Sequence, residues 1–265
     1  MKKRALSSII YNSTTEYGAS QRSPFEMKTS NPAEYTRLTT IVQKHFPKMT
    51  ASEIDNLIER LKKEGCGYVC MVNSLFTEFL DRPKRFKEVF GFDMINADNS
   101  LNYNTLLVDL YCKTDNHIGI NFPFFAWDTY IKNEDRVLHY NKEEIKFEWK
   151  EKPFGNNVLQ MKYRFETYCM QHGIKASLLI IPFITPKTFH KYAKMGSVSI
   201  LCNKPTLQKE DGTPVKVNDW HFMTITGVTK SGKYIVSSWG NRYVLDQKNI
   251  RGIRFYQVIR YKTFL

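Results

Sequence analysis

Two side chains far apart in the sequence have the types and settings needed for thiol chemistry. Cys66 stands between two glycines, in EGCGYVCMV, just before an apolar run with helical spacing. A helix N-terminus stabilises negative charge, so a cysteine there can hold its thiol as the nucleophilic thiolate. His221 opens the segment WHFMTITGV, which predicts a strand. Together they predict a thiolate nucleophile and an imidazole base acting on an amide carbonyl.

The residues around this pair indicate how a substrate would be held. Gly65 and Gly67 lack side chains, so a substrate carbonyl could approach the backbone there, with the Cys66 N–H as an oxyanion donor. Trp220 and Trp239 are the aromatic candidates for substrate contact, and Trp239 would also shield the histidine from water.

Cys70 is the alternative nucleophile. It lies one helical turn after Cys66, where a cysteine is more often a small buried apolar side chain, so the sequence favours Cys66. The two cysteines have no second pair at zinc-finger spacing, and no phosphate-binding glycine motif is present. The sequence therefore implies neither a metal nor a cofactor.

The elements that position these residues follow an α+β order. Thr50–Glu64 predicts a helix with a polar cap at Thr50 or Ser52, one apolar face and Gly65 at its end. After residue 177 the pattern changes to strands, including the hairpin formed by 221–228 and 234–238. Further helices are predicted at 102–112, 157–172 and 186–195, and further strands at 178–184, 198–202, 243–246 and 252–261. The predicted fold class is α+β, with N-terminal helices and a helix-borne nucleophile packed on a C-terminal antiparallel sheet.

Four segments resemble papain-like cysteine peptidases, and most closely the double-glycine leader peptidases of bacteriocin exporters. GCGYVCMV resembles the start of that family's nucleophile helix, and TPKTFHKYAKMGSVSILCN resembles the helix and strand ahead of its histidine. WHFMTITGV resembles the histidine strand, and YIVSSWG resembles the Asn-Ser-Trp-Gly stretch of papain relatives. The resemblance covers about 60–80 and 186–246. It implies a papain-like fold, Cys66 as nucleophile, His221 as base, and a peptide or protein substrate.

Two positions depart from the family pattern. The residue that orients the histidine is Asn or Asp in the family, sixteen positions after the base, and here it is Ser237, which brings no charge. Asn241, Asp219 or Asp246 could take its place.

The second departure concerns the oxyanion donor. The family places a glutamine about six residues before the cysteine, whereas that count gives Arg60 from Cys66 and Glu64 from Cys70. Loss of one oxyanion donor typically costs about 10²–10³ in rate.

Three functional hypotheses follow from these observations. The first is a papain-like cysteine hydrolase, a peptidase in which Cys66 attacks the amide, His221 acts as base and then acid, and Ser237 orients His221. The second is a catalytically silent papain-like domain that binds a partner. The third is a cysteine amidase or acyltransferase acting on a non-peptide amide.

The predicted organisation is a flexible arm followed by one domain. Residues 1–30 are polar and rich in Ser and Thr, which is typical of a loosely ordered arm. Residues 31–265 form a single papain-like domain with a central insertion at about 92–175. The aromatic stretch Phe122–Ile131 lies in this insertion.

Composition and charge exclude some classes of protein. The net charge of +13 is spread along the chain, with short clusters such as Arg82–Lys87, and no nucleic-acid-binding motif accompanies it, so a solubilising basic surface is the favoured interpretation. No apolar run reaches the roughly 18 residues of a membrane span. Five dispersed cysteines and no recognisable signal peptide indicate a reduced compartment. We expect the cytoplasm, or export by a route without such a signal.

Overall fold

The computed structural model describes residues 17–97, 99–115, 128–132, 135–140, 143–146 and 158–263. Its helices are α1 (Ser23–Ser30), α2 (Pro32–His45), α3 (Ala51–Glu64), α4 (Cys66–Phe79), α5 (Pro83–Phe90), α6 (Tyr103–Asp115), α7 (Val158–Gln171) and α8 (Pro186–Ala193). Its strands are β1 (Asp128–Lys132), β2 (Asp135–Tyr140), β3 (Glu143–Lys146), β4 (Ile174–Ile181), β5 (Ser197–Asn203), β6 (Thr206–Gln208), β7 (Pro214–Lys216), β8 (Trp220–Val228), β9 (Tyr234–Ser238), β10 (Asn241–Leu245) and β11 (Arg254–Thr263).

The strands form two antiparallel sheets. The larger has eight strands in the order β4-β11-β5-β8-β9-β10-β6-β7, and the smaller contains β1, β2 and β3. Strand β8 lies inside the large sheet, between β5 and β9. Helices before an antiparallel sheet confirm the α+β class.

Helix α3 shows how local chemistry places the cysteine helix. The Thr50 side chain accepts a hydrogen bond from the Glu53 N–H, and the Glu53 carboxylate accepts one from the Thr50 N–H, which completes a capping box. The predicted apolar face is buried, and Gly65 ends the helix. Because Gly65 is also the residue before α4, Cys66 becomes the first residue of the next helix.

Two apolar clusters lie on the two faces of the large sheet. The first joins helices α2 to α7 to one face and includes Leu38, Leu57, Phe76, Phe165 and Phe222. The second covers the opposite face under α8 and includes Phe189, Met223, Ile225, Val236 and Tyr256. Helix α4 is buried along most of its length, which explains why its sequence is apolar on nearly every side.

The N-terminal region differs from the predicted flexible arm within residues 17–30. Helix α1 occupies Ser23–Ser30, and the side chains of Tyr17 and Ala19 are buried. The Tyr17 N–H donates to the Gly240 carbonyl, and the Gly240 N–H donates to the Ala19 carbonyl. Hydrogen bonds to the turn between β9 and β10 therefore fix a segment whose polar composition favoured disorder. Residues 1–16 lie outside the described residues.

Two helices of the predicted insertion at 92–175 belong to the main core. Helix α6 buries Leu106 and Leu110, and helix α7 buries Met161 and Phe165, all in the first cluster. These helices pack on α2, α4 and β4. Most of the aromatic stretch Phe122–Ile131 lies outside the described residues.

The lengths and composition of the helices bear on membrane association. Within the part of the chain that the structure describes, each helix is too short or too polar to cross a bilayer.

Candidate functional site

Cys66 is the first residue of α4, as the sequence predicts, and it keeps part of its surface exposed. Burial of the sulfur raises the pKa of the thiol, although backbone N–H groups of Phe222, Gly67 and Cys66 itself act in the opposite direction. The Glu64 carboxylate adds to the rise. Desolvation therefore outweighs the helix N-terminus, and the protonated thiol is the stable form at neutral pH.

The alternation of side chains along β8 decides how Cys66 and His221 are related. Phe222 belongs to the first cluster, which contains α4, whereas Met223 belongs to the second cluster on the other face. His221 lies two residues before Met223 on β8, so their side chains share a face. It is also the β-pairing partner of Cys202 on the neighbouring strand β5, and Cys202 belongs to the second cluster. Successive side chains of a strand point to opposite faces. His221 therefore faces away from α4.

His221 is held within this second face. Its Nε2 and the Ser238 Oγ are 2.7 Å apart in a hydrogen bond, and its ring stacks on Trp239 with centroids 4.5 Å apart. Burial lowers the pKa of His221 to about 3, and the nearby Arg22 guanidinium adds to this lowering. Arg22 also lies over the Trp239 ring, 5.2 Å from its centroid. His221 is therefore a neutral, buried imidazole at pH 7.

The predicted thiolate–imidazole pair is not assembled in this structure. Among the described residues, no hydrogen bond joins Cys66 to His221, and the imidazole is absent from the groups that perturb the thiol pKa. Ser237, which the sequence predicts to orient the histidine, has other partners in this structure. The Ser237 hydroxyl donates to the Tyr17 carbonyl on the α4 side, and the neighbouring Ser238 contacts the histidine.

The alternative orienting residues have other partners. The Asn241 amide donates to the Trp239 carbonyl, and Asp219 accepts from the Trp220 N–H. Asp246 caps the 3-10 turn at 247–249 and pairs with Lys233.

The two glycines serve packing in this structure. A Cβ atom at position 67 would lie 2.5 Å from the Met161 sulfur, so α7 fills the space expected for a substrate carbonyl. A Cβ atom at position 65 would collide with the Leu61 carbonyl and lie 3.0 Å from the Gln21 Cβ. Neither glycine therefore borders an open approach for substrate.

The two predicted tryptophans have different settings. Trp220 is 43% exposed at the start of β8, and Trp239 covers the histidine. The shielding role predicted for Trp239 thus matches its position, whereas substrate contact by either tryptophan stays a prediction.

Cys70 lies deeper in α4, in a buried polar seam between the helix and the sheet. Burial raises the pKa of its thiol to about 12, although the nearby Thr224 and Ser199 side chains act in the opposite direction. One turn further on, the Asn73 Nδ2 donates to the Thr224 Oγ1 over 3.2 Å, and its Oδ1 accepts from the Ala19 N–H. Cys70 is therefore a protonated core residue, as the sequence favours.

Three residues near the site were not identified from the sequence. Ser238 and Arg22 contact the histidine and its tryptophan, and Gln21 is buried against Gly65. Gln21 lies far outside the six-residue window searched for an oxyanion donor, because the glutamine reaches α4 by tertiary packing. The Arg60 Nε instead donates to the Tyr111 hydroxyl.

Comparison with known proteins adds no relative. No protein-family model matches this sequence, and a search of curated proteins finds no significant similarity. Within the described residues, no group of three His, Cys, Asp or Glu side chains is arranged to hold a metal ion. The resemblance to cysteine peptidases therefore depends on the short segments quoted above.

Proposed function

We propose that this chain is a papain-like domain that binds a polypeptide partner without cleaving it. The observation that carries the proposal is the placement of His221 on the face of the sheet opposite α4. A general base must reach the proton that it removes, at about 2.6–3.2 Å or through one water. An imidazole bonded to Ser238, with a pKa of about 3, does not meet this requirement at neutral pH.

A groove lined in part by Trp239 offers a binding surface. It encloses about 820 Å³ between α1, the start of α2 and the chain that leads into α6, with Trp239 and Gly240 also in its lining. Hydroxyl, amide and carboxylate side chains dominate this lining, among them Ser23, Glu26, Ser30, Asn31, Asn96 and Asn104. Such groups suit the alternating donors and acceptors of an extended peptide backbone. Among the described residues of this lining there is no lysine or arginine, so an anionic ligand is disfavoured.

Peptide selection on the full chain tests this proposal. Random peptides would be selected on a Cys66→Ala variant, and the affinity of enriched peptides measured by fluorescence anisotropy. We expect wild type and Cys66→Ala to bind equally, because the thiol lies outside the groove lining. Ser30→Arg, which places a bulky cation in the groove, should weaken binding by roughly tenfold or more.

Thr29→Arg is the matched control. Thr29 is the neighbouring exposed residue of α1 and is absent from the groove lining, so the same substitution there should leave affinity unchanged. An equal loss of peptide affinity in Ser30→Arg and Thr29→Arg would contradict binding in the groove, as would a selection that enriches no peptide. Cleavage of a peptide by wild type but not by Cys66→Ala would contradict the proposal that the domain binds its partner without cleaving it.

A cysteine hydrolase is the second candidate, and Gln21 is the observation that favours it. Gln21 is 6% exposed and packs against Gly65, the residue before Cys66. A glutamine amide and the backbone N–H groups around Cys66 are the type of donors that stabilise an oxyanion. This candidate also needs a base for Cys66, which the position of His221 does not provide.

A further inference from the structure

Helix α8 carries an exposed basic face. Lys187, His190, Lys191 and Lys194 follow at spacings of three, four and seven residues, which places them on one side of the helix, and all four are exposed. On the opposite side, Phe189 is 2% exposed and anchors α8 to the second cluster. The basic side chains therefore point away from the sheet on a helix that is firmly packed.

The lysines of this face have no carboxylate partners within the described part of the chain. The basic cluster singled out from the sequence, Arg82–Lys87 at α5, behaves differently, because acidic residues pair with three of its cations. These pairs are Arg82 with Glu78, Arg85 with Glu88 and Lys87 with Asp93. No such ion pair is formed by Lys187, Lys191 or Lys194 among the residues described. The positive charge on α8 is therefore available to a partner.

An exposed aromatic ring lies close to this basic face in the sequence. Phe183, three residues before α8, is 58% exposed, and the Arg254 guanidinium lies 5.9 Å from its ring centroid. Arg254 is held by a hydrogen bond from its Nη1 to Gln247. Exposed aromatic rings beside cations are the combination that holds single-stranded nucleic acid, since bases stack on rings and phosphates pair with the cations.

A lipid surface fits these features less well. Membrane-surface helices insert an apolar face, whereas α8 directs its large apolar residue, Phe189, into the protein. The lysines repeat at intervals of four and three residues, about 4.5–6 Å along the axis, so that consecutive phosphates of one strand can each meet a cation. The net charge of +13 would also attract a polyanion over longer distances.

We propose that the α8 face, defined as Lys187, Lys191, Lys194, Phe183 and Arg254, binds single-stranded nucleic acid. The lysines neutralise phosphates without reading sequence, and Phe183 stacks on one base. This inference does not depend on the peptide-binding groove, which lies among α1, α2 and the start of α6.

Fluorescence anisotropy of the full chain with a 12-nucleotide oligo-uridine and oligo-thymidine, at 50 to 300 mM salt, tests the proposal. Removing three phosphate contacts in Lys187→Ala/Lys191→Ala/Lys194→Ala should reduce the slope of log affinity against log salt by about 2. Phe183→Ala should weaken binding roughly tenfold while leaving the slope unchanged.

The control removes equal charge elsewhere. Lys84→Ala/Arg85→Ala/Lys87→Ala acts on α5, another eight-residue helix with exposed cations, two of which already have acidic partners. It should leave both affinity and slope nearly unchanged. The proposal is overturned by equal effects of the two triple variants, by a Phe183→Ala variant that binds normally, or by competition from poly-glutamate as strong as that from the oligonucleotide. Binding to phosphatidylserine vesicles without binding to either oligonucleotide would also overturn it.

Discussion

Lowering the pH from about 7.5 to 5 should remove about 2 kcal/mol of unfolding free energy through His221 alone. The folded pKa of His221 is about 3, whereas an unfolded histidine titrates near 6.5. Below pH 6.5 the unfolded chain takes up a proton that the folded protein does not bind. Stability is therefore complete above this range and falls as the pH drops toward 3, with a total loss of about 5 kcal/mol.

Urea unfolding at several pH values, for wild type and His221→Asn, measures this effect. The variant loses the contacts with Ser238 and Trp239 and is less stable at pH 7.5. Between pH 7.5 and 5, its free energy of unfolding should fall by about 2 kcal/mol less than that of wild type. The measurements stay above pH 5 because the carboxyl pKa values of Asp55 and Asp109 are lowered in the folded protein. Protonation of these carboxylates at more acidic pH would also lower the free energy of unfolding.

His190→Asn is the control for this experiment, since His190 is exposed on α8. It should leave the pH dependence as in wild type. If wild type and His221→Asn decline in parallel, His221 is not held neutral by burial, and its proposed environment is incorrect.

Moving the histidine by one position should create the thiol–imidazole contact that the structure lacks. In His221→Phe/Phe222→His, the imidazole would occupy the place of Phe222, which belongs to the first cluster with Cys66 and whose backbone N–H lies beside the thiol. An imidazolium beside the thiol lowers the thiol pKa. We expect alkylation of Cys66 at pH 7 to accelerate about tenfold, because the larger thiolate fraction is partly offset by lower nucleophilicity.

His221→Phe alone and Phe222→Leu are the controls, and both should alkylate at the wild-type rate. Circular dichroism and the urea midpoint verify that each variant is folded. If His221→Phe alone slows alkylation, the native histidine acts on Cys66 and the assignment of strand faces is wrong. A folded double variant that alkylates at the wild-type rate would also contradict the assignment.

The hairpin that carries the site could be predicted from the sequence, but its faces could not. The bounds of β9 match the prediction, and those of β8 differ by one residue. However, β8 is buried on both faces from His221 to Thr226, so its hydrophobic pattern does not indicate which face meets α4. Ser237 and Ser238 both carry a hydroxyl, so the sequence does not indicate which of the two contacts the histidine. A shift of one residue along β8 moves a side chain to the opposite face of the sheet, and this determines whether the histidine meets Cys66.

Other features depended on contacts that the sequence does not encode locally. The placement of Cys66 at a helix start follows from short-range rules and was predicted, and the cap at Thr50 is one of the two candidates that the sequence offers. The packing of Gln21 against Gly65 joins segments more than forty residues apart in the chain. The basic spacing on α8 is visible in the sequence, but the absence of acidic partners among the described residues emerges only from the fold.

The rate of Cys66 alkylation between pH 6 and 9.5, in wild type and His221→Ala, tests the central claim most directly. Mass spectrometry would assign the modified cysteine, with Cys66→Ala as the blank. We predict a single rise in rate above pH 9, since burial raises the thiol pKa, and the same profile in His221→Ala. A reactive thiolate well below pH 8 that disappears on removing His221 would contradict the proposal and establish a cysteine–histidine pair.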